Sequence, residues 1–269
     1  MRKYILTIAI FCFMAGASAA ALAADFSYSH YETLLMRYVK SGAAIDGINV
    51  SAVDYGALAQ DAAKPDSPYS QLLKELAAFD PGTLGSREEK MAFWINVYNI
   101  AAIKTIVDHY PVDSIRSRKI NWLGLPWGRK AITVGGKQYS LEGIEFGELV
   151  EGLRDLRIHF GINCASVSCV DLRSEPFRAG ALDRQLEEEG KRFLANEKKG
   201  LRIDRAGEKV YLSQIFKFDK KHFDAYAGGA VKFILPYVPE EDRNFLQFGK
   251  YDLEYLDYDW NANDLKNAK

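Results

Sequence analysis

The feature that most constrains the fold is a long, almost wholly apolar helix with a well-defined start. Residues 86–89, Ser-Arg-Glu-Glu, have the capping-box pattern, in which the Ser and the last Glu each accept a hydrogen bond from a free backbone N–H group. The pattern predicts a helix over 87–109, because Pro111 cannot continue it. Its middle, residues 93–103, is apolar on nearly every side. We therefore expect this helix inside a core and not at a surface.

The rest of the chain mixes helices and strands. Apolar residues at helical spacing predict further helices over 31–38, 67–79, 141–151, 181–195 and 230–235. Alternating stretches predict hairpins over 132–139 and 201–212, and a buried strand over 157–162. Because these elements do not alternate as regular β-α-β units, we predict an α+β fold. In it, one domain packs a mixed or antiparallel sheet against the long buried helix, and a cysteine-peptidase-like arrangement is one form of that class.

The N-terminus has the pattern of a secretory signal. Arg2 and Lys3 precede a mostly apolar run over 4–15, and small residues follow as far as Ala21-Leu22-Ala23. The apolar run is too short to span a bilayer comfortably, although a retained anchor is the alternative. We therefore predict a cleaved signal peptide over 1–23 and a single globular domain over 24–269. The protein should lie in the periplasm or outside the cell, with no transmembrane segment after cleavage.

The composition excludes several classes of protein. The chain has 35 Lys and Arg residues against 36 Asp and Glu residues, a net charge of −1, so no basic excess points to nucleic acid or to an anionic membrane. After signal removal only Cys164 and Cys169 remain, which excludes a disulfide-dense scaffold. A zinc site would need two further ligands, and His159 is the only candidate nearby. We therefore expect no metal and no cofactor.

The segment 157–169 has the densest set of reactive side chains. Cys164 is the candidate nucleophile and His159 the candidate base, because a thiol needs a base or a positive field to ionise at neutral pH. Positions five apart on a regular strand face opposite ways, so the pair can meet only if the strand ends or bulges before Cys164. The small residues after Cys164 would leave backbone N–H groups free for an oxyanion hole. Glu145, among apolar residues, is the candidate for orienting His159.

Further polar residues are candidates for substrate contacts. They are Asn96, Asn99, Arg157, Asn163 and Ser166. Each has a structural alternative: the buried asparagines can be core hydrogen-bonders, and Arg157 can form an ion pair. Cys164 and Cys169 can instead form a structural disulfide or an inert pair. The aromatic stretch around Trp122 and Trp127 can line a pocket or pack in the core.

These segments together resemble a bacterial family known as domain of unknown function 547. The matching residues are 92–99, 109–111 with 114–116, 144–145, 157–169, 213–217 and 255–260. Some family members are fused to glutaredoxin-like domains, which implies thiol or glutathione-related chemistry. The family pattern also resembles a cysteine-hydrolase set, here Cys164, His159 and Glu145. The chain departs from it at Phe146, where the family often has His, and at Val170, where it often has Pro.

Two classes of function are consistent with these residues. The first is an exported thiol-dependent hydrolase or acyl transferase that acts on an amide, peptide or glutathione-like substrate through Cys164, His159 and Glu145. The second is a non-enzymatic envelope protein that binds a small thiol or peptide, with Cys164 and Cys169 joined as a disulfide. A thiol–disulfide oxidoreductase is a weaker alternative, because its motif has two residues between the cysteines and here there are four.

Overall fold

A single buried helix organises the fold. In the computed structural model, which describes residues 26–269, this helix spans Arg87–Val107. Ser86 Oγ accepts a hydrogen bond from the Glu89 N–H at 3.0 Å, and the Glu89 carboxylate accepts one from the Ser86 N–H at 2.8 Å. The predicted capping box is therefore confirmed. From Met91 to Ile103 every residue of the helix is buried, as its uniform apolar character predicts.

The other helices surround this central one. The α-helices are α1 Ser29–Tyr38, α2 Tyr55–Ala62, α3 Pro68–Ala78, α4 Arg87–Val107, α5 Leu182–Leu194, α6 Ile215–Phe218, α7 Lys220–Ala227, α8 Ala230–Ile234 and α9 Glu240–Phe248. The predicted helices over 31–38, 67–79, 181–195 and 230–235 are confirmed. The predicted signal, residues 1–23, and Cys12 within it lie outside the described residues.

Three small sheets complete the described part of the chain. Their strands are β1 Val39–Ile45, β2 Ile48–Val53, β3 Lys130–Val134, β4 Lys137–Ser140, β5 Leu201–Asp204, β6 Lys209–Leu212 and β7 Asp252–Tyr255. The pairs β1-β2, β3-β4 and β5-β6 are antiparallel, and β7 adds to β6 in parallel. Both predicted hairpins are confirmed. Since β3 packs against α4 and helices and strands are mixed, the predicted α+β class is confirmed as well.

One large cluster of buried apolar side chains forms the core around α4. A second, small cluster lies under the β1-β2 hairpin and contains Ile45, Val50, Ala52 and Val167. None of the helices within residues 26–269 is both long and apolar enough to cross a membrane.

Two predicted elements differ in kind from expectation. The stretch predicted as a strand over 157–162 is instead a 3₁₀-helix, Leu156–Phe160. The Asp155 carboxylate accepts the Arg157 N–H at 3.1 Å and so starts a tight helical turn, whereas a short buried apolar run fits a strand equally well. The helix predicted over 141–151 forms, but Gly143–Glu151 is π-helical. π-Helical segments are uncommon, and many of those known lie at functional sites.

Candidate functional site

The structure contains a cavity of about 480 Å³ that is lined in part by the π-helix and the 3₁₀-helix. The three residues predicted to carry chemistry, Cys164, His159 and Glu145, all line it. Its other polar wall residues are Arg116, Glu142, Cys169, Asp219 and Tyr258. Its apolar wall residues are Leu125, Trp127, Gly128, Phe146, Ile162, Ile215, Phe218 and Trp260. A mostly apolar cavity with a few convergent polar groups has the usual character of a small-molecule site.

Two asparagines shape the loop that carries Cys164. Asn99, on α4, donates to the Gly161 carbonyl at 2.9 Å and accepts from the Asn163 N–H at 2.7 Å. Asn163 in turn accepts from the Ala165 N–H at 2.8 Å. Neither amide lines the cavity, so both act on the loop backbone in this structure. Buried amides with this many backbone partners rigidify a loop and hold its conformation.

The backbone at Cys164 is strained. Ala165 has φ of 60°, a left-handed value that a residue with a Cβ seldom adopts, and it is fully buried. Such residues concentrate at functional sites, where the surrounding structure holds the strain. The sequence predicts free N–H groups after Cys164 for an oxyanion hole, and at Ala165, the first of these residues, the N–H group is not free. The Cys164 N–H donates to Cys169 Sγ at 3.1 Å and the Ala165 N–H is held by Asn163, so this expectation is wrong there.

Hydroxyl and thiol groups surround the Cys164 sulfur. Ser166 Oγ lies 3.1 Å and the Tyr258 hydroxyl 3.3 Å from Cys164 Sγ, and the two hydroxyl oxygens lie 3.1 Å apart. A hydrogen bond from the Cys169 thiol lowers the pKa of Cys164 most, and the two hydroxyls lower it further, against the opposing effect of burial. Burial raises the pKa of Cys169 well above its usual range, so that thiol stays protonated and can donate. Cys164 is thus the thiol that ionises first.

Tyr258 reaches the cavity from the C-terminal segment of the chain. This segment pairs with the loop after Cys164 through an antiparallel bridge between Ser166 and Ala262. The Ser168 hydroxyl also accepts the Asp259 N–H at 2.9 Å. Burial raises the pKa of Tyr258 well above its usual range, so its hydroxyl remains a donor. Residues almost a hundred positions from Cys164 therefore complete its surroundings.

The His159 imidazole lies in a second polar cluster. Its Nε2 is 2.8 Å from the Asp219 carboxylate, whose other oxygen contacts His222 Nδ1. A carboxylate only accepts hydrogen bonds, so the imidazole donates from Nε2 and its Nδ1 is left as an acceptor. The Glu145 carboxylate lies 3.9 Å from that Nδ1, beyond hydrogen-bonding distance. The group that orients His159 in this structure is therefore Asp219.

Glu145 lies on the π-helix and faces His159 from its other side. Burial raises the pKa of Glu145, while the electrostatic interaction with His159 and a hydrogen bond from the Tyr98 hydroxyl oppose that rise. Tyr98 lies on α4, so the central helix directly supports this carboxyl group. Glu145 thus pairs with Tyr98 and lies close enough to His159 for an electrostatic effect.

The two polar clusters share the cavity but do not touch through their central residues. Within residues 26–269 no hydrogen bond joins Cys164 to His159. A 3₁₀-helix forms where the strand was predicted, so the rule that strand positions five apart face opposite ways does not apply to His159 and Cys164. A substrate in the cavity could contact the thiol on one side and the imidazole on the other.

The remaining predicted site residues lie off the cavity wall. Asn96 binds the Phe177 backbone through both its amide atoms, at 2.8 and 3.0 Å. Arg157 forms ion pairs with Asp155 and Asp183, each at 2.8 Å, as the structural alternative describes. Both sets of contacts are internal to the protein.

The two cysteines are free thiols in this structure and are both buried. The disulfide considered from the sequence is therefore not formed here. Among the residues that the structure describes, no group of three or more His, Cys, Asp and Glu side chains is arranged to hold a metal ion.

Sequence reasoning missed Asp219 and the role of Tyr258. Asp219 had one detectable signal: it lies between Phe216 and Phe223, where a lone carboxylate would be costly to bury without a partner. Tyr258 falls in a segment that matches the family, but no local pattern connects it to a cysteine so far away in the sequence. The position of Tyr258 beside Cys164 follows from the pairing of the C-terminal segment with the loop after Cys164.

Aromatic rings form the mouth of the cavity. Trp260 packs edge-on against Trp127 with ring centroids 5.4 Å apart, and it stacks on Phe218 at 5.6 Å. The Arg116 guanidinium lies over the same indole, 5.0 Å from its centroid. The mouth therefore combines flat apolar surface with one cation, and Trp127 lines the pocket as one of the sequence alternatives proposed.

Comparison with protein-family models gives a match to part of the chain. Residues 83–194 match the family model described as "Protein of unknown function, DUF547". Comparison with curated proteins and with solved structures gives no significant match, so a cysteine-peptidase-like fold stays a prediction. The matched residues include α4, Glu145, His159 and both cysteines, whereas Asp219 and Tyr258 follow them. The resemblance inferred from the sequence motifs is confirmed over residues 83–194, which match the DUF547 family model.

Proposed function

We propose that the protein is a thiol-dependent hydrolase or acyl transferase with Cys164 as its nucleophile. The observation that carries the proposal is the hydrogen bonding of the Cys164 sulfur to Ser166 and Tyr258, together with the Cys169 thiol, in a wall of the cavity. Donors aimed at a sulfur favour its thiolate, which is the reactive form. An inert structural cysteine would be buried among apolar groups and would have a raised pKa.

The proposed reaction forms and then breaks a thioester. The Cys164 thiolate attacks a substrate carbonyl carbon, and the carbonyl electron pair moves to oxygen, where the Tyr258 hydroxyl donates a hydrogen bond to it. The carbon–nitrogen bond then breaks, and the leaving amine takes a proton from Nδ1 of His159. That proton comes from the Cys164 thiol through a water or a substrate group in the cavity.

The second half returns the enzyme to its starting state. A water molecule, or an acceptor amine or thiol, gives a proton to Nδ1 of His159 as it attacks the thioester carbon. The carbon–sulfur bond breaks and Cys164 leaves as the thiolate. Asp219 holds the imidazole through Nε2 in both halves and stabilises its positive charge. Glu145 contributes its field from 3.9 Å, in place of the direct contact expected for an orienting group.

The size and lining of the cavity favour a small amide. A volume of about 480 Å³ fits a substrate of two or three residues, such as a short peptide or a glutathione-like amide. The alternative function is non-enzymatic binding of a small thiol or peptide, with Cys164 and Cys169 oxidised to a disulfide. The contact between the two thiols favours this alternative in an oxidising compartment. The proposal also includes export, with a mature chain that begins at about residue 24.

Acylation of Cys164 by a simple ester tests the proposal. Protein isolated from the envelope fraction is reduced mildly and mixed with p-nitrophenyl acetate, and its intact mass is followed. We expect a transient gain of one acetyl group on the peptide that contains Cys164, and none in Cys164→Ser. The variant His159→Asn should accumulate the acetylated form, because its hydrolysis needs a base. Release of amine from glutathione and from a dipeptide amide then identifies the substrate class.

The matched control is Cys169→Ser, which keeps a hydrogen-bond donor beside Cys164 and should still be acetylated. A protein that stays unmodified after reduction, although folded, would contradict the catalytic role of Cys164. A loss of mass equivalent to two hydrogens in the unreduced protein would instead support the disulfide and the binding function. Intact mass also gives the N-terminus, and a chain that retains its first residues would contradict export with cleavage.

A further inference from the structure

A surface next to the cavity mouth is apolar and strongly exposed. It is the chain over residues 121–127, which we call the tryptophan loop. Trp122 is 78% exposed, Leu123 65% and Leu125 57%. Isolated exposed apolar residues are common, but several large ones side by side mark an interaction surface.

Cations flank the tryptophan loop on both sides. They are Arg116, Arg118 and Lys119 before it, and Arg129 and Lys130 after it, all exposed. From residue 114 to residue 141 the sequence has no Asp or Glu. Throughout residues 26–269 no carboxylate forms an ion pair with any of these five side chains. The surface therefore has a local positive charge that the net charge of the whole chain conceals.

The tryptophan loop is held in this exposed conformation by its own hydrogen bonds. The Asn121 side chain accepts from the N–H groups of Leu123 at 2.9 Å and Leu125 at 3.3 Å. The Arg129 guanidinium closes the base of the loop by donating to the Ile120 carbonyl. Polar groups are thus satisfied inside the loop, and its apolar side chains face outward.

We propose that the tryptophan loop docks on an anionic phospholipid surface. Trp122 and Leu123 would enter the boundary between headgroups and acyl chains, where tryptophan is favoured. The flanking cations would lie on lipid phosphates, whose field acts only within about one Debye length, so local charge decides the attraction. Charge complementarity selects this partner over an apolar protein surface, which would leave five cations unpaired.

Docking would also orient the cavity. Leu125 belongs to the loop and lines the cavity, as do its neighbours Trp127 and Arg116. A docked loop would therefore bring the mouth of the cavity close to the membrane surface. Substrates that are part of the membrane, or that lie on it, would then reach Cys164 without crossing bulk water. The docking itself does not depend on the chemistry proposed for Cys164.

Vesicle sedimentation tests the docking. The N-terminally processed protein, checked by intact mass, is mixed with vesicles of phosphatidylcholine alone or with phosphatidylglycerol added. We expect retention on the anionic vesicles and a loss of about tenfold or more in the double variant Trp122→Ser/Leu123→Ser. The charge variant Arg118→Gln/Lys119→Gln should lose retention in the same direction, as should wild-type protein in about 0.5 M salt. Neither pair of residues lines the cavity, so Cys164 acetylation should be unchanged in both variants.

The matched control is Phe248→Ser, because Phe248 is 82% exposed at the far end of α9, outside the tryptophan loop and its five flanking cations. It should bind as the wild type does. Lipids brominated on their acyl chains should quench the emission of the wild type and should quench Trp122→Phe much less. Equal retention of the wild type and the tryptophan-loop variant, or no retention on either vesicle, would overturn the proposal. Self-association that the Trp122→Ser/Leu123→Ser variant abolishes, without vesicle binding, would assign the loop to a second copy instead.

Discussion

Removal of the Tyr258 hydroxyl should make Cys164 less reactive. In Tyr258→Phe the sulfur loses a donor at 3.3 Å, while the ring keeps its packing against Phe218 and Trp260. The hydroxyl favours the thiolate over the thiol, because only the thiolate gains a charge-assisted hydrogen bond. Its loss should therefore raise the pKa of Cys164, and the sulfur should ionise at a higher pH than in the wild type.

The size of the effect follows from the hydrogen bond that is lost. A hydrogen bond to a charged group is worth about 1.5–3 kcal/mol, and sulfur is a weak acceptor, so we take the lower end, about 1.5 kcal/mol. A difference of about 1.4 kcal/mol changes an equilibrium tenfold. The thiolate fraction at neutral pH, and the alkylation rate with it, should fall by about tenfold. Ser166 and Cys169 remain as donors, so the reactivity should not vanish.

The assay is the rate of alkylation of Cys164 by iodoacetamide across a pH series, followed by mass spectrometry of the peptide. The matched control is Tyr251→Phe, whose hydroxyl donates to the Leu246 carbonyl away from the cavity. That variant should alkylate as the wild type does, with the same pH midpoint. A Tyr258→Phe rate equal to that of the wild type at every pH would refute the view that hydroxyl donors activate this thiol.

Two further predictions separate the roles of the buried carboxylates. Asp219→Asn should lower turnover of the acetyl ester by about 10³-fold or more, because His159 loses the carboxylate that fixes its tautomer, while Cys164 alkylation should stay within about threefold. Equal losses in both assays would contradict separate roles. The pKa of Asp155 is lowered overall, since hydrogen bonds and charge from Arg157 outweigh the raising effect of burial. Asp155→Asn should therefore lower the free energy of unfolding by about 2 kcal/mol at pH 7 in urea titrations. That difference should disappear as the pH falls through the pKa of the folded carboxyl; a difference that persists at low pH would contradict the ion-pair origin.

The sequence predicts local elements here with good accuracy, because their signals are local. A capping box and an apolar run are sufficient for α4, and both predicted hairpins have alternating strands around polar turns. The strand predicted over 157–162 is wrong because so short a buried stretch, with Ile158, Phe160 and Ile162 as its apolar side chains, has no reliable period. The Asp155 side chain stabilises a 3₁₀ turn there instead. The sequence also does not reveal that residues 143–151 are π-helical, because the spacing of their apolar residues fits an α-helix as well.

The site is only partly predictable, for a different reason. Cys164 and His159 lie close in sequence and their residue types suggest chemistry, so their shared cavity follows from local reasoning. Their hydrogen-bond partners come from distant segments: Asp219 from the start of α7 and Tyr258 from the chain after β7. Which carboxylate faces an imidazole depends on packing between elements, and a single sequence has no information on that packing. Glu145 was the reasonable local choice, but its carboxylate lies 3.9 Å from His159 Nδ1, beyond hydrogen-bonding distance.

Each of the two polar clusters combines residues from two parts of the chain. The segment that matches the family model, residues 83–194, supplies Cys164, the proposed nucleophile, together with His159 and the loop that holds them. The C-terminal third supplies Tyr258 for the sulfur and Asp219 for His159. A chain ended after residue 194 would keep Cys164 but lose a donor to its sulfur and the carboxylate on the imidazole. The proposed functional unit therefore extends at least to Tyr258, well beyond the matched segment. Its chemistry should depend on the pairing of the C-terminal segment with the loop after Cys164.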